Sequence, residues 1–228
     1  MRELPVVTKN LLAINALMFL ALLAFEKMGI DLNSILGLHL FIAPDFRLYQ
    51  LATYIFMHGS FSHILLNMFS LWMFGRILEQ VWGPKRFLTY YMLTGIGAGL
   101  LQQAVQYAYY YSELAAYTSV NLGGGMIVPM AEYLNMWTTV GASGAVYGML
   151  LAFALTFPNE RLFMFPIPVP IKAKYFALTI AGLELLTGIG NHAGDNVAHF
   201  AHLGGMLFGL LLIYYWRKTG KINGPYNF

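Results

Sequence analysis

The chain has 228 residues, of which 58% are hydrophobic and only 10% are charged, and its mean hydropathy is +0.60. Soluble domains carry about 25% charged residues, so the composition predicts an all-α membrane protein with several spans. The absence of cysteine excludes thiol catalysis, cysteine-ligated zinc and disulfides. The net charge of +3 does not come from basic residues clustered on a soluble face, so we expect no nucleic-acid partner.

Six hydrophobic segments are predicted to cross the bilayer as one domain covering residues 1–228, since no polar linker divides the chain. Their lengths of 15 to 25 residues are near the roughly 20 residues that a spanning helix needs. The first segment lacks a clear small-residue cleavage site and is followed by further spans, so we expect it to be retained. In chain order the segments are 10–25, 54–78, 87–111, 143–157, 175–189 and 197–216.

Basic residues are distributed unequally between the two sides of these spans. Eleven Lys and Arg residues lie on the side of the N-terminus, and only Lys27 and Arg47 lie on the other side. Because cytoplasmic loops are enriched in Lys and Arg, both termini are predicted to be cytoplasmic. The connections 26–53, 112–138 and 190–196 are then expected on the outer face.

Ser143 opens the fourth hydrophobic segment, within the motif Gly141-Ala142-Ser143-Gly144. A Gly-x-Ser-Gly pattern is common in soluble hydrolases, where the serine sits on a sharp turn. Polar and ionisable groups at membrane depth are costly, so they are functional candidates by default. The position of Ser143 therefore predicts a serine nucleophile that acts inside a membrane.

His202, in the sixth segment, is predicted to be the general base for Ser143. Fifteen residues separate Ser143 from Pro158 at the end of its helix, and fifteen separate His202 from Arg217. At 1.5 Å per residue each interval covers roughly 22 Å, which places both side chains about 8 Å below the outer face. Equal depth makes a Ser143–His202 pair geometrically feasible.

Glycine spacing predicts close packing of the same two segments. Gly144 and Gly148 follow Ser143, and Gly205 and Gly209 follow His202. Each pair forms a small-xxx-small pattern, which allows helix backbones to approach closely in lipid. We expect these two faces to pack together and to bring the serine hydroxyl to the imidazole.

His63 and Asn67 are predicted to stabilise an oxyanion. They lie at positions i and i+4 of the second segment, on one face of a helix. Both side chains can donate a hydrogen bond to a developing negative charge, and such a donor contributes about 3 kcal/mol. The backbone N–H of Ser143, at the start of its helix, is a further expected donor.

No acidic residue is expected to complete a catalytic triad. Glu184 is the only carboxylate within the core of a segment, and it is predicted to lie nearer the middle of its helix than the catalytic level. The interpretation is therefore a Ser–His dyad, in which Tyr147 stacks on the imidazole and orients it.

The same residues also allow structural or metal-binding roles. An isolated intramembrane serine usually bonds its own helix backbone, and a structural role is favoured for His199. A zinc site would use His58 and His63 together with His199 and His202, but zinc hydrolases usually place a carboxylate base beside such ligands. We therefore expect no metal and no other cofactor.

Three motifs in order on a six-span frame resemble the rhomboid family of intramembrane serine proteases, over nearly the whole chain. Glu79 with Gly83, Arg86 and Tyr90 is also similar to the family pattern, whereas Phe46-Arg47 stands where many members have Trp-Arg. The motifs are Gly141-Ala-Ser143-Gly144 with Tyr147, Ala201-His202-Leu-Gly-Gly205 with Gly209, and His58-Gly-Ser-Phe-Ser-His63-Ile-Leu-Leu-Asn67.

The resemblance implies a rhomboid-like bundle of six transmembrane helices that cleaves single-span membrane proteins in the lipid bilayer. It implies Ser143 as nucleophile, His202 as general base, and His63 and Asn67 as oxyanion-hole residues. The frame suggests a bacterial plasma membrane. The alternative functions are a catalytically silent relative that escorts membrane proteins and, less favoured, a transporter.

Overall fold

The computed structural model describes residues 3–164, 167–190 and 198–220, most of which are helical. Val197, the predicted first residue of the last span, and most of the predicted 190–196 connection lie outside these residues. Helices α1 to α10 are Val6–Glu26, Leu32–Leu36, Gln50–Thr53, Phe61–Ser70, Arg76–Trp82, Pro84–Tyr109, Met130–Asn135, Ser143–Thr156, Ala173–Gly190 and His199–Lys218. Strands β1 to β6 are Leu38–His39, Ser119–Asn121, Ile127–Pro129, Thr138–Thr139, Arg161–Met164 and Ile167–Lys172.

Within the described residues, three helical segments are long and apolar enough to cross a membrane. They are α1, the continuous segment Phe61–Trp82 and α10, and α8 is a shorter apolar helix. Helix α6 has 26 residues, or about 39 Å, but is less apolar. Its buried positions carry glycine, threonine and tyrosine, because this side faces other helices rather than lipid.

The second predicted span begins later than expected. Residues 54–56 form a 3₁₀ turn, and helix α4 begins only at Phe61. Ser60 is the N-cap, and its hydroxyl accepts a hydrogen bond from the His63 backbone N–H at 3.2 Å. A serine at this position satisfies one of the unpaired N–H groups of the first turn. Leu71–Gly75 then forms a π-helical stretch between α4 and α5.

A buried carboxylate joins the first two long helices. Glu79 on α5 accepts hydrogen bonds from the backbone N–H groups of Val7 and Thr8 at 2.9 and 2.7 Å, and from the Thr8 hydroxyl at 2.8 Å. These donors belong to the first turn of α1, where N–H groups lack helical partners and favour negative charge. Gly83, with φ of 78°, then allows the chain to turn into α6, whose first residue is Pro84.

Helix α8 is largely buried, with ten of its 14 residues buried, and α10 makes its largest interfaces with α6 and α8. Helix α9 makes smaller interfaces with α8 and α10. Its buried residues are only Ala173, Ala177 and Glu184, so most of its surface is left exposed by the rest of the protein. The catalytic candidates therefore lie where three helices, α8, α9 and α10, converge.

Three short antiparallel sheets add to the helical bundle, which the all-α prediction did not include. They are formed by β1 with β4, β2 with β3, and β5 with β6. The β2–β3 hairpin and α7 occupy part of the long 112–138 connection. Pairing of Leu38 with Thr139 ties the first long connection to the strand that leads to Ser143.

Two glutamines hold this first connection in place. Gln50 donates from Nε2 to the Asp45 carbonyl oxygen at 3.0 Å. Gln103 on α6 accepts from the Phe41 N–H at 2.7 Å and donates to the His39 carbonyl oxygen at 3.0 Å. The amides satisfy backbone groups of an irregular segment that has few partners of its own. They thereby fix the position of β1 and of the strand β4 beside it.

Candidate active site

Ser143 is the first residue of α8, and the turn before it requires glycine. Gly141 has φ of 127°, which is unfavourable for residues with a side chain, and its N–H donates to the Tyr54 carbonyl oxygen at 2.9 Å. A Cβ atom at position 141 would lie 2.7 Å from His63 Nε2 and 3.7 Å from Ser143 Oγ. Gly141 thus permits both the turn and the approach of the His63 ring to the serine.

The structure brings Ser143 and His202 into hydrogen-bond contact. Ser143 Oγ lies 2.8 Å from His202 Nε2. Ser143 is partly buried and the His202 residue is only 8% exposed. A nucleophile and base within about 2.6–3.2 Å meet the geometric requirement for proton transfer between them.

Direct backbone contact between α8 and α10 makes this distance possible. A Cβ atom at Gly205 would overlap the carbonyl group of Gly144. Gly144 in turn faces Ala98 on α6 and the Ala201 carbonyl oxygen, which would lie 3.4 Å from its Cβ. The prediction of a shared glycine interface is therefore correct for Gly144 and Gly205.

The second glycine of each pattern has a different neighbour from the one predicted. Gly209 contacts Tyr90, and Gly148 contacts Thr94, both on α6. Tyr90 also donates from its hydroxyl to the Gly148 carbonyl oxygen at 2.9 Å. Because α8 and α10 each pack against two neighbours, successive glycines on one helix serve different interfaces.

Tyr147 stacks on the imidazole of His202, as predicted. The ring centroids are 4.1 Å apart and the planes differ by 8°. The Tyr147 hydroxyl donates a hydrogen bond to Oε1 of Glu184. Tyr147 therefore contacts both the ring and the carboxylate beside it.

Glu184 lies at the catalytic level, which corrects the expectation that no carboxylate accompanies the Ser–His pair. Its Oε2 is 3.0 Å from His202 Nδ1, on the opposite side of the imidazole from Ser143. The expectation failed because residue counts along α9 say nothing about helix tilt or about which neighbour a long side chain reaches.

His199 also belongs to this cluster, whereas the sequence favours only a structural role for it. Its Nδ1 lies 2.6 Å from Glu184 Oε2 and 3.1 Å from Thr187 Oγ1. Thr187 donates its own hydroxyl proton to the Leu183 carbonyl oxygen at 2.7 Å, so the strong partner of His199 is the carboxylate.

The oxyanion-hole candidates His63 and Asn67 lie on α4. His63 borders Gly141 and Ser143, and its ring makes an edge contact with His58 at a centroid distance of 5.1 Å. Asn67 is buried and donates from Nδ2 to the His63 carbonyl oxygen at 3.0 Å. An amide nitrogen carries two hydrogens, so this bond leaves one donor available.

Three side chains offer a possible metal site among the described residues. Ligand atoms of Glu184, His199 and His202 all lie within 4.8 Å of one another. This set replaces the His58/His63 combination considered from sequence, and it includes a carboxylate. However, tetrahedral zinc with bonds of about 2.0–2.1 Å separates its ligand atoms by roughly 3.3 Å. The 2.6 Å contact between His199 and Glu184 instead fits a shared proton.

Sequence reasoning singled out most members of the site but not the acidic one. Ser143, His202, Tyr147 and His63 converge in the structure. The available signal for Glu184 was its isolation as a carboxylate within an apolar segment. Ionisable residues within a membrane are functional candidates by default. The isolation of Glu184 was therefore a signal that it belongs to the site.

Comparison with known proteins gives consistent matches over most of the chain. A Rhomboid domain model matches residues 45–219. Rhomboid protein 1, mitochondrial, of Saccharomyces cerevisiae is 30% identical over 169 residues, which are 72% of this chain and 40% of the yeast protein. RHOMBOID-like protein 1 of Arabidopsis thaliana is 32% identical over 83% of this chain and 38% of its own length.

A bacterial relative matches nearly end to end. The Bacillus subtilis protein named "Putative rhomboid protease YdcA" is 27% identical over 214 residues, which are 92% of this chain and 88% of the relative. By contrast, the chain spans between 40% and 53% of the length of the mitochondrial and chloroplast relatives from yeast and Arabidopsis.

Proposed function

The chain belongs to the rhomboid family, and from this premise we propose that it is an intramembrane serine endopeptidase. Its substrates are single-span membrane proteins, cut near the outer face of the bilayer. The observation that carries the proposal is the 2.8 Å contact between Ser143 Oγ and His202 Nε2, at the buried ends of two helices whose backbones touch.

The proposed reaction proceeds through an acyl-enzyme. His202 Nε2 takes the Ser143 hydroxyl proton while Oγ bonds to the scissile carbonyl carbon, and the carbonyl π electrons move to the oxygen. Collapse of this intermediate breaks the C–N bond, and the leaving amine takes the proton from His202. Water then attacks the acyl group by the same route, which releases the acid product and restores Ser143.

The negative oxygen is stabilised by donors on two sides. The Ser143 backbone N–H is at the start of α8, where N–H groups lack helical partners. His63 and the second N–H of Asn67 supply side-chain donors from α4. Such donors act on charge that develops only in the transition state, so they lower the barrier by about 3 kcal/mol each.

The proposed topology has six spans within one domain of 228 residues, with both termini in the cytoplasm. The distribution of Lys and Arg supports this orientation. The near full-length match to a Bacillus subtilis relative supports a bacterial plasma membrane. The catalytic side chains then lie below the outer face and are reached by substrates from within the bilayer.

The first test is cleavage of a fluorescent single-span substrate by purified protein in proteoliposomes, with Ser143→Ala as the matched variant. We expect Ser143→Ala to lower kcat by about 10⁴-fold or more, because the acyl-enzyme cannot form. A chelator should leave the wild-type rate unchanged.

Two results would contradict the proposal. Cleavage by Ser143→Ala at the wild-type rate would exclude Ser143 as nucleophile, and inhibition by the chelator would favour metal chemistry. Binding of the substrate by the wild type without any cleavage would favour the alternative, an escort protein for membrane segments.

A further inference from the structure

Glu184 is a buried acid on an otherwise weakly buried helix. It is one of only three buried residues in the described part of α9, and the other two are alanines. An ionised carboxylate in such surroundings is costly unless several donors compensate it. Three side chains reach it, from α8 and α10: Tyr147 contacts Oε1, and His199 and His202 contact Oε2.

The position of the carboxylate decides which ring nitrogen of His202 carries the proton. A neutral imidazole has one N–H, and an ionised carboxylate can only accept hydrogen bonds. Among the described residues, Nδ1 of His202 is buried without a well-aligned hydrogen bond, and Glu184 Oε2 lies 3.0 Å from it, within ion-pair distance. The proton therefore belongs on Nδ1, and the lone pair on Nε2 faces Ser143.

From this arrangement we infer that Glu184 is a positioning residue that completes a Ser143–His202–Glu184 triad. The carboxylate selects the tautomer of His202 that can accept the serine proton, and it stabilises the imidazolium that forms during the reaction. This inference rests on the proposed function, since it assigns a role within the same reaction.

Tyr147 and His199 hold the carboxylate in place. The Tyr147 hydroxyl binds Oε1 while its ring stacks on His202. His199 Nδ1 binds Oε2 at 2.6 Å from one turn before His202 on α10. The imidazole is thus fixed by a stack on one face, by Ser143 at Nε2 and by Glu184 at Nδ1. A carboxylate held by donors on both oxygens cannot turn away from the ring.

The deciding variant is Glu184→Gln, which keeps the shape of the side chain but removes its charge. We expect kcat to fall by about 10²- to 10⁴-fold with KM within about threefold, because the amide does not select or stabilise the required form of His202. The rate at which a fluorophosphonate labels Ser143 should fall in parallel. Glu184→Asp, which keeps the charge, should have a kcat at least tenfold higher than that of Glu184→Gln.

Glu79→Gln is the matched control. Glu79 is also a buried carboxylate with three donors, but these belong to the first turn of α1. We expect this variant to lower the thermal unfolding midpoint while kcat per folded molecule stays within about threefold of wild type. All rates are divided by the amount of monodisperse protein recovered from gel filtration. The kcat of a poorly folding variant is therefore still measured per folded molecule.

The outcomes separate the two proposals. Wild-type kcat and labelling rate in folded Glu184→Gln, with Ser143→Ala inactive, would overturn the triad and leave the protease assignment intact. Equal losses of kcat in Glu184→Gln and Glu79→Gln would also overturn the triad, since any buried carboxylate would then matter equally. Cleavage by Ser143→Ala at the wild-type rate would instead contradict the proposed function itself.

Discussion

His199 and His202 lie one turn apart on α10 and contact the same carboxylate oxygen. Only His202 also contacts Ser143 Oγ. The two histidines therefore differ in their expected roles: in the proposed reaction His202 exchanges a proton with the nucleophile, whereas the described hydrogen-bond contacts of His199 are with Glu184 and Thr187. Their proximity in sequence makes them easy to confuse, and their contacts distinguish them.

We expect His199→Ala to lower kcat by roughly 5- to 30-fold, which corresponds to losing about 1–2 kcal/mol from one charge-assisted hydrogen bond to Glu184. His202→Ala should lower kcat by at least about 10³-fold, because the base itself is removed. Initial rates on one fluorescent substrate measure both. A larger loss for His199→Ala than for His202→Ala would reverse the assignment of the base.

At the scale of elements, the site depends on two helices whose backbones touch. Gly205 faces the Gly144 carbonyl group, with no space for even a methyl group. In lipid, such contacts replace the hydrophobic driving force that packs helices in water. The distance between Ser143 and His202 therefore depends on a backbone contact that lies next to Ser143 and about one turn after His202.

Gly205→Ala should separate α8 from α10 and lower both the unfolding midpoint and kcat, the latter by at least about tenfold, because a shift near 1 Å at the reacting atoms can cost about 10²-fold. Differential scanning fluorimetry in detergent and cleavage assays measure the two effects.

Gly182→Ala on α9 is the control, since a Cβ atom there has no neighbour within 4 Å. It should leave both quantities unchanged or slightly raise the midpoint, because alanine favours helix by about 1 kcal/mol over glycine. Equal changes in the unfolding midpoint and in kcat for Gly205→Ala and Gly182→Ala would show that the α8–α10 contact does not set the distance between Ser143 and His202.

At the scale of the whole molecule, the candidate site lies at the converging ends of buried helices rather than on a surface cleft. In the proposed topology the site lies about 8 Å below the outer face by helix rise, and this depth would restrict which substrates can react. A stable substrate helix keeps its carbonyl groups hydrogen-bonded and shielded. Under the proposed function, we therefore expect the peptide to be cut to unwind locally before it reaches Ser143.

Cleavage rates should consequently follow the helical stability of the substrate. A run of leucines at the outer end of the substrate's span should slow cleavage, and Gly-Ala insertions at the same place should speed it, because glycine favours helix less than leucine does. Rates measured in proteoliposomes on such a matched series test this expectation, and the released ectodomain should appear outside. Equal rates across the series would refute local unfolding as a requirement, even with the Ser–His chemistry intact.

The sequence alone determined the membrane class, the approximate positions of the long helices and the equal depth at which Ser143 and His202 are expected. These features follow from local quantities: hydropathy over a span, the cost of polar groups in lipid, and helix rise per residue. The prediction for the second span began seven residues too early because hydropathy does not detect the 3₁₀ turn and the Ser60 cap.

Only the tertiary structure decided which side chains meet across helices. Glu184 was placed too deep, His199 was left without its carboxylate partner, and Gly209 was assigned to the wrong neighbour. Each depends on the tilt, rotation and lateral order of α6, α8, α9 and α10, which packing between helices sets. Spacing along one helix shows which residues share a face, but it does not show which other helix that face meets.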